Sequence, residues 1–124
     1  VAHNRAICDA AVALAEEGRA AAIVAVTRQG KTARVLSAVR PRQPIVAAVS
    51  DEPLARRLLL HRGVTPLLAG EGALADATGA SLERALAERA IFAAGDVVVF
   101  VSVNADLGRS GANFLRIVRL TAKA

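Results

Sequence analysis

Short apolar runs alternate with amphipathic stretches along most of the chain. Residues Asn4 to Glu17 place Ile7, Ala10, Ala11 and Leu14 at helical spacing in an alanine-rich background, which predicts a helix ended by Gly18. The next run, Ala21 to Val26, is continuously apolar and contains Ile23, Val24 and Val26, as expected of a strand covered on both faces in a parallel sheet. After the turn Thr27-Arg28-Gln29-Gly30, the segment Lys31 to Val39 sets Val35, Leu36 and Val39 against Lys31 and Arg34 and predicts an amphipathic helix. Pro41 and Pro44 punctuate its exit, and Ile45 to Val49 repeats the buried-strand pattern, giving a βαβ unit.

Ser50-Asp51-Glu52-Pro53 predicts a helix start, with a capping hydroxyl, acids in the first turn and proline where its missing N–H costs least. That helix is expected to run to about Arg62, with Gly63 closing it. Val64 to Leu68 reads as a third strand, and Pro66 puts it at a sheet edge. Ala69 to Ala80, with three glycines, is the least structured stretch, followed by a helix from about Ser81 to Phe92. Gly95-Asp96 turns into Val97 to Val103, the most hydrophobic strand and therefore a central one. The polar loop Asn104 to Ala112 precedes Phe114 to Leu120, whose loose alternation suggests an edge strand with mixed faces.

The chain has 124 residues, enough for one core and too few for two, so residues 1–124 are read as a single domain. Its longest apolar run, Ala20 to Val26, is far below the roughly 18 residues that span a bilayer, which argues against a membrane partner. The first residues include His3, Asn4, Arg5 and Asp9, so no signal-peptide core is expected there. Cys8 is the only cysteine; an internal disulfide and a structural zinc site are both excluded, and a reducing, cytoplasmic compartment is the simplest reading. With only His3 and His61, a Ser/His triad or a histidine metal site has little material.

The net charge of +5 raises the question of nucleic acid. The three aromatics, Phe92, Phe100 and Phe114, all sit in apolar or strand-like contexts, however, so base-stacking platforms are missing and nucleic acid is not an expected partner. The charge is uneven: Gly18 to Ser50 holds Arg19, Arg28, Lys31, Arg34, Arg40 and Arg42 and no acid, which points to a local anion site. The turn at Thr27 to Thr32 suits a phosphate, because a helix N-terminus presents directed N–H groups beside Arg28, Lys31 and the Thr32 hydroxyl. Gly30-Lys31-Thr32 is not the end of a P-loop, since the glycine required five positions earlier is Ala25, inside the strand. A helix start with solvated charges explains the same fragment equally well.

A family resemblance enters on this turn. Ala22 through Arg34 resembles the pyruvate kinase C-terminal pattern of an apolar strand followed by Thr-x-Ser-Gly-Arg-Ser/Thr-Ala. Arg40-Pro41-Arg42-Gln43-Pro44-Ile45 is similar to that family's Arg-Pro-x-x-Pro-Ile stretch, and Ala55-Arg56-Arg57 with Arg62-Gly63-Val64-Thr65-Pro66 to its Ala-Arg helix and Gly-Val-x-Pro strand. Gly95-Asp96-Val97-Val98 and Ser110-Gly111-Ala112-Asn113 through Ile117 resemble its last two strands. The matches fall in the family's order over nearly the whole chain.

The resemblance implies a three-layer α/β/α fold with a mixed five-stranded sheet of order 3-2-1-4-5, the last strand antiparallel. It implies a regulatory and oligomerisation domain of an enzyme that transfers phosphoryl from phosphoenolpyruvate to ADP, with a phosphorylated effector or oxyanion as ligand. The effector residues it implies are Thr27, Arg28, Gln29, Gly30, Lys31 and Thr32, with Arg109, Ser110 and Gly111 from the loop before the last strand. Gln29 stands where serine is usual, and Ser110 to Asn113 is one residue shorter than the common pattern. Catalytic residues, the divalent magnesium and the monovalent cation belong to the family's barrel domain, so no catalytic residue, metal or cofactor is expected in this chain. The barrel domain and further copies of the chain are the expected partners. A stand-alone phosphate-binding or sensing module is the alternative. Cys8 reads as a small buried side chain, His61 as a helix-end residue, and Asp96 and Asp106 as turn residues.

Overall fold

The computed structural model describes residues 2–75, 79–89, 92–103 and 113–120. The helices are α1 (Ala2–Glu17), α2 (Lys31–Val39), α3 (Glu52–Leu58), α4 (Glu71–Ala75) and α5 (Ala80–Glu88). The strands are β1 (Ala22–Val26), β2 (Ile45–Val49), β3 (Val64–Leu68), β4 (Val97–Ser102) and β5 (Phe114–Arg119). They form one five-stranded sheet in the order β3-β2-β1-β4-β5. The first four strands are mutually parallel and β5 runs antiparallel to β4. The expected strand order, the expected edges at β3 and β5 and the interior place of β4 are all observed.

Two apolar clusters explain why β1 and β2 are continuous hydrophobic runs rather than alternating ones. On one face Ile23, Ala25, Ile45, Ala47 and Val99 pack with Cys8, Ala11 and Ala15 of α1, Ala33 and Leu36 of α2, and Leu54 and Leu58 of α3. On the other, Val24, Val46, Ala48, Val98 and Phe100 pack with Leu74 of α4 and Leu82 and Leu86 of α5. The sheet is therefore the middle of three layers, with all five residues of β1 and of β2 buried. In β5 the alternation sends Leu115 to the first cluster and Phe114 and Val118 to the second.

Several helix boundaries differ from the sequence expectation. Gly18 is not the left-handed residue that ends α1; that conformation falls on Arg19, at φ 50°. Ala20 N–H then donates to the Ala15 carbonyl at 2.9 Å, closing a Schellman-type turn. A Cβ at Gly18 would lie 2.5 Å from Ile117 Cδ1 on β5, so a larger residue there would have to displace the tip of that exposed side chain. The cap of α3 is the Asp51 carboxylate, which accepts from Leu54 N–H at 3.1 Å, rather than the Ser50 hydroxyl. That helix stops at Leu58, four residues short of the expected Arg62, because the chain must reverse through Gly63 at φ 75° to enter β3. Leu59, Leu60 and His61 wind as i→i−3 turns onto the carbonyls of Arg56, Arg57 and Leu58. The stretch expected to be least structured contains α4, and α5 begins at Ala80 and ends at Glu88 rather than near Phe92.

Cys8 is fully buried on α1, its thiol donating to Asn4 Oδ1 at 3.3 Å. Burial, reinforced by neighbouring Asp9 and opposed by Arg5, pushes its thiol up from 9.0 to about 11. Because the thiolate is the reactive form, the native chain at pH 8 should react with a disulfide reagent about a hundredfold more slowly than the urea-unfolded chain. Equal rates, followed by absorbance of the released thiolate, would show that the α1 face opens readily. The sign for stability follows from the raised value: the neutral thiol favours the fold fully below pH 9, and that contribution is lost as pH rises through about 11.

Candidate functional site

The turn Thr27–Gly30 leaves the C-terminal end of β1, the middle strand of the sheet. From β1 the chain passes through α2 to β2 on one side, while β4 lies on the other, so strand order reverses between β1 and β4. Open α/β sheets take ligands at such a reversal, beyond the carboxyl ends of the strands.

Local chemistry fixes the shape of the turn. Thr27 N–H donates to the Ala48 carbonyl of β2 at 3.1 Å, and the buried Thr27 hydroxyl accepts from Gly30 N–H at 2.8 Å. Gly30 adopts φ 85°, ψ −1°, and offers no side chain to cap the helix that follows. The first intrahelical bond of α2 runs from Arg34 N–H to the Gly30 carbonyl at 3.0 Å. The amides of Lys31, Thr32 and Ala33 precede it and have no partner within the helix. Arg34 Nη1 reaches back to the Gln29 carbonyl at 3.2 Å and braces the turn from outside.

The sequence-predicted residues separate into three groups here. Lys31 and Gln29 are exposed at the helix start, where a cation and an amide can meet an anion. Thr27 and Thr32 are buried, at 7% and 3%, so Thr27 shapes the turn and Thr32 faces the core side of α2. Arg28 is exposed but already engaged: its Nη1 contacts Glu71 Oε1 in the first turn of α4. The other Glu71 oxygen accepts from the Ser50 hydroxyl at 2.6 Å. Loops following β1, β2 and β3 are thereby tied together by one carboxylate.

Arg109, Ser110 and Gly111 lie outside the described residues. The strand that leads to them is placed, since Ser102 pairs with Val26 in the β1–β4 ladder. The chain leaving β4 thus departs beside the chain leaving β1.

Sequence reasoning missed Glu71 and misread Ser50 as a cap. Glu71 opens α4 just beyond the end of β3, a position from which a side chain can overlook the neighbouring strand ends. That placement was the available signal. The acid-free stretch from Gly18 to Ser50 hides it, because the counter-charge comes from a later element.

Elsewhere, Arg116 of β5 lies over the Phe100 and Phe114 rings, at 5.9 and 5.4 Å from their centroids. Asp96 behaves as the expected turn residue, its carboxylate accepting from Ala93 N–H at 2.9 Å. No group of three or more His, Cys, Asp or Glu that could hold a metal occurs among the described residues, and no described helix is long and apolar enough to cross a membrane.

Fold and turn together define a three-layer α/β domain with a mixed 3-2-1-4-5 sheet and an uncapped helix N-terminus at its reversal point. The pyruvate kinase alpha/beta domain model matches residues 5–118, and the chain belongs to that family. It is 37% identical over 113 residues to the cytosolic isozyme of pyruvate kinase from Glycine max, covering 75% of this chain and 22% of that protein. It is 31% identical over 111 residues to pyruvate kinase from Thermoplasma acidophilum, covering 90% of this chain and 20% of that protein. The crystal structure of a pyruvate kinase from Cryptosporidium parvum superposes with a TM-score of 0.79 at 28% identity, over 97% of this chain and 23% of that one. The chain therefore spans about a fifth of the length of these relatives.

Proposed function

We propose that the chain serves as the regulatory and assembly domain of a pyruvate kinase and binds a phosphorylated small molecule or oxyanion at the Thr27–Thr32 turn. The observation that carries this reading is the N-terminus of α2, left uncapped by Gly30, with Lys31 exposed beside it at the strand reversal. Directed N–H groups and the helix dipole favour an anion there without ordering any side chain, and Lys31 adds a mobile positive charge. Arg109, Ser110 and Gly111 complete the proposed site from the loop beyond β4.

In this proposal phosphoryl transfer from phosphoenolpyruvate to ADP takes place in a barrel domain of the parent protein. Magnesium and a monovalent cation act in that barrel. The barrel and further copies of the chain are the proposed macromolecular partners, and the cytoplasm the proposed compartment.

Calorimetric titration with a sugar phosphate and with sulfate tests the binding site. Charge-assisted hydrogen bonds contribute about 1.5 to 3 kcal/mol each, so Lys31→Ala should weaken phosphate binding by roughly tenfold or more. Saturable binding indifferent to both Lys31→Ala and Arg109→Ala would place the site elsewhere. No binding at all would make the turn ordinary scaffold.

A further inference from the structure

Three loops that leave the carboxyl ends of β1, β2 and β3 meet at a single acid. Glu71 contacts Arg28 through one oxygen and holds the Ser50 hydroxyl at 2.6 Å through the other. Arg28 and Glu71 are partly open to solvent, with side chains 44% and 61% exposed, so neither is locked in place by burial. Arg28 immediately precedes Gln29 and Gly30 at the mouth of α2. One of the two cations of the Thr27–Thr32 turn is therefore occupied by a carboxylate of the chain itself.

We infer that Glu71 is an internal competitor for Arg28, a latch that an incoming anion must displace, with Ser50 as the residue that positions it. The inference rests on the anion-site reading above and adds to it the residue that tunes affinity. A phosphate dianion has the charge and the acceptor geometry to replace a carboxylate on a guanidinium, whereas a singly charged small anion meets the same charge it would displace. The latch thus raises the threshold for binding and favours ligands of higher charge. Because exposed ion pairs are weak, the threshold is modest and the switch stays reversible.

Removing the charge while keeping the shape separates these roles. Inorganic phosphate is titrated calorimetrically at pH 8 into the 124-residue chain, Glu71→Gln, Arg28→Ala and the double variant, with thermal melts to verify folding and Glu71→Ala as a second way of releasing Arg28. Glu71→Gln is expected to tighten phosphate about three- to tenfold, and the same substitution in the Arg28→Ala background to change it less than twofold. Binding detectable only in Glu71→Gln would support the latch in its strongest form. Unchanged or weaker binding in both Glu71→Gln and Glu71→Ala, with Lys31→Ala still costly, would overturn the latch and leave the anion site standing. Equal tightening with and without Arg28 would also overturn it, since Glu71 would then act by repulsion alone. Silence from every one of these proteins would remove the anion site and the latch together.

Discussion

Phe100→Ala is expected to lower the unfolding free energy by about 3 to 5 kcal/mol. Phe100 is fully buried in β4, in register with Val24 of β1 on one side and Arg116 of β5 on the other. It belongs to the cluster in which Leu82 and Leu86 of α5 cover the sheet. Truncation leaves a cavity that neither rigid neighbouring strand can close, which adds to the lost transfer free energy. It also strips one ring from beneath the Arg116 guanidinium, whose Nε is buried without a hydrogen-bond partner among the described residues. Native domains hold only about 5 to 15 kcal/mol in reserve, so the loss takes a large share of it. Urea titration followed by far-ultraviolet circular dichroism measures the change. A loss below about 1 kcal/mol would mean that α5 does not seal this face.

Gly30→Ala should cost about 2 to 3 kcal/mol and weaken anion binding as well. Two separable effects combine. Gly30 sits at φ 85°, where a Cβ adds roughly 1 to 2 kcal/mol of backbone strain. That Cβ would also lie 3.0 Å from Arg34 Nη1, 3.0 Å from Leu54 Cδ1 and 3.2 Å from Leu58 Cδ2. Arg34 can swing into solvent, but both leucines are buried and must push into packed neighbours. Gly63 provides the internal comparison: it has a similar φ of 75° and nothing within 4 Å of its would-be Cβ. Gly63→Ala therefore reports strain alone, and the excess of Gly30→Ala over it, read from denaturation midpoints, is the crowding contribution. Equal losses at the two positions would show that α2 and α3 can separate at no cost.

The three inner strands were legible from sequence because they are covered on both faces. Ala22 to Val26, Ile45 to Val49 and Val97 to Val101 have no polar interruption, and a continuous apolar run of that length has few other places to go. Pro66 marked an edge for an equally local reason. Helix ends were less legible, since they depend on where the chain must turn back. At the end of α1, Arg19 rather than Gly18 takes the left-handed conformation, although glycine is the residue that favours it. The five-residue α4 is too short to show a helical period. At the candidate site, the turn and Lys31 followed from strand, glycine and helix start. The engagement of Arg28 by Glu71 did not, because a surface ion pair between distant residues leaves no pattern in composition or spacing.

The central position of β1 also sets an order of events during synthesis. A ribosome that has released the chain through Leu68 has supplied every residue of three parallel strands, yet the flank of β1 that pairs Ala22 with Val98 still has no partner. At about 5 to 20 residues per second, the span from Leu68 to Ser102 keeps that apolar flank uncovered for on the order of seconds. An open strand edge of this composition recruits other strands. The nascent domain is thus most in need of a chaperone in the interval between the completion of β3 and the emergence of β4.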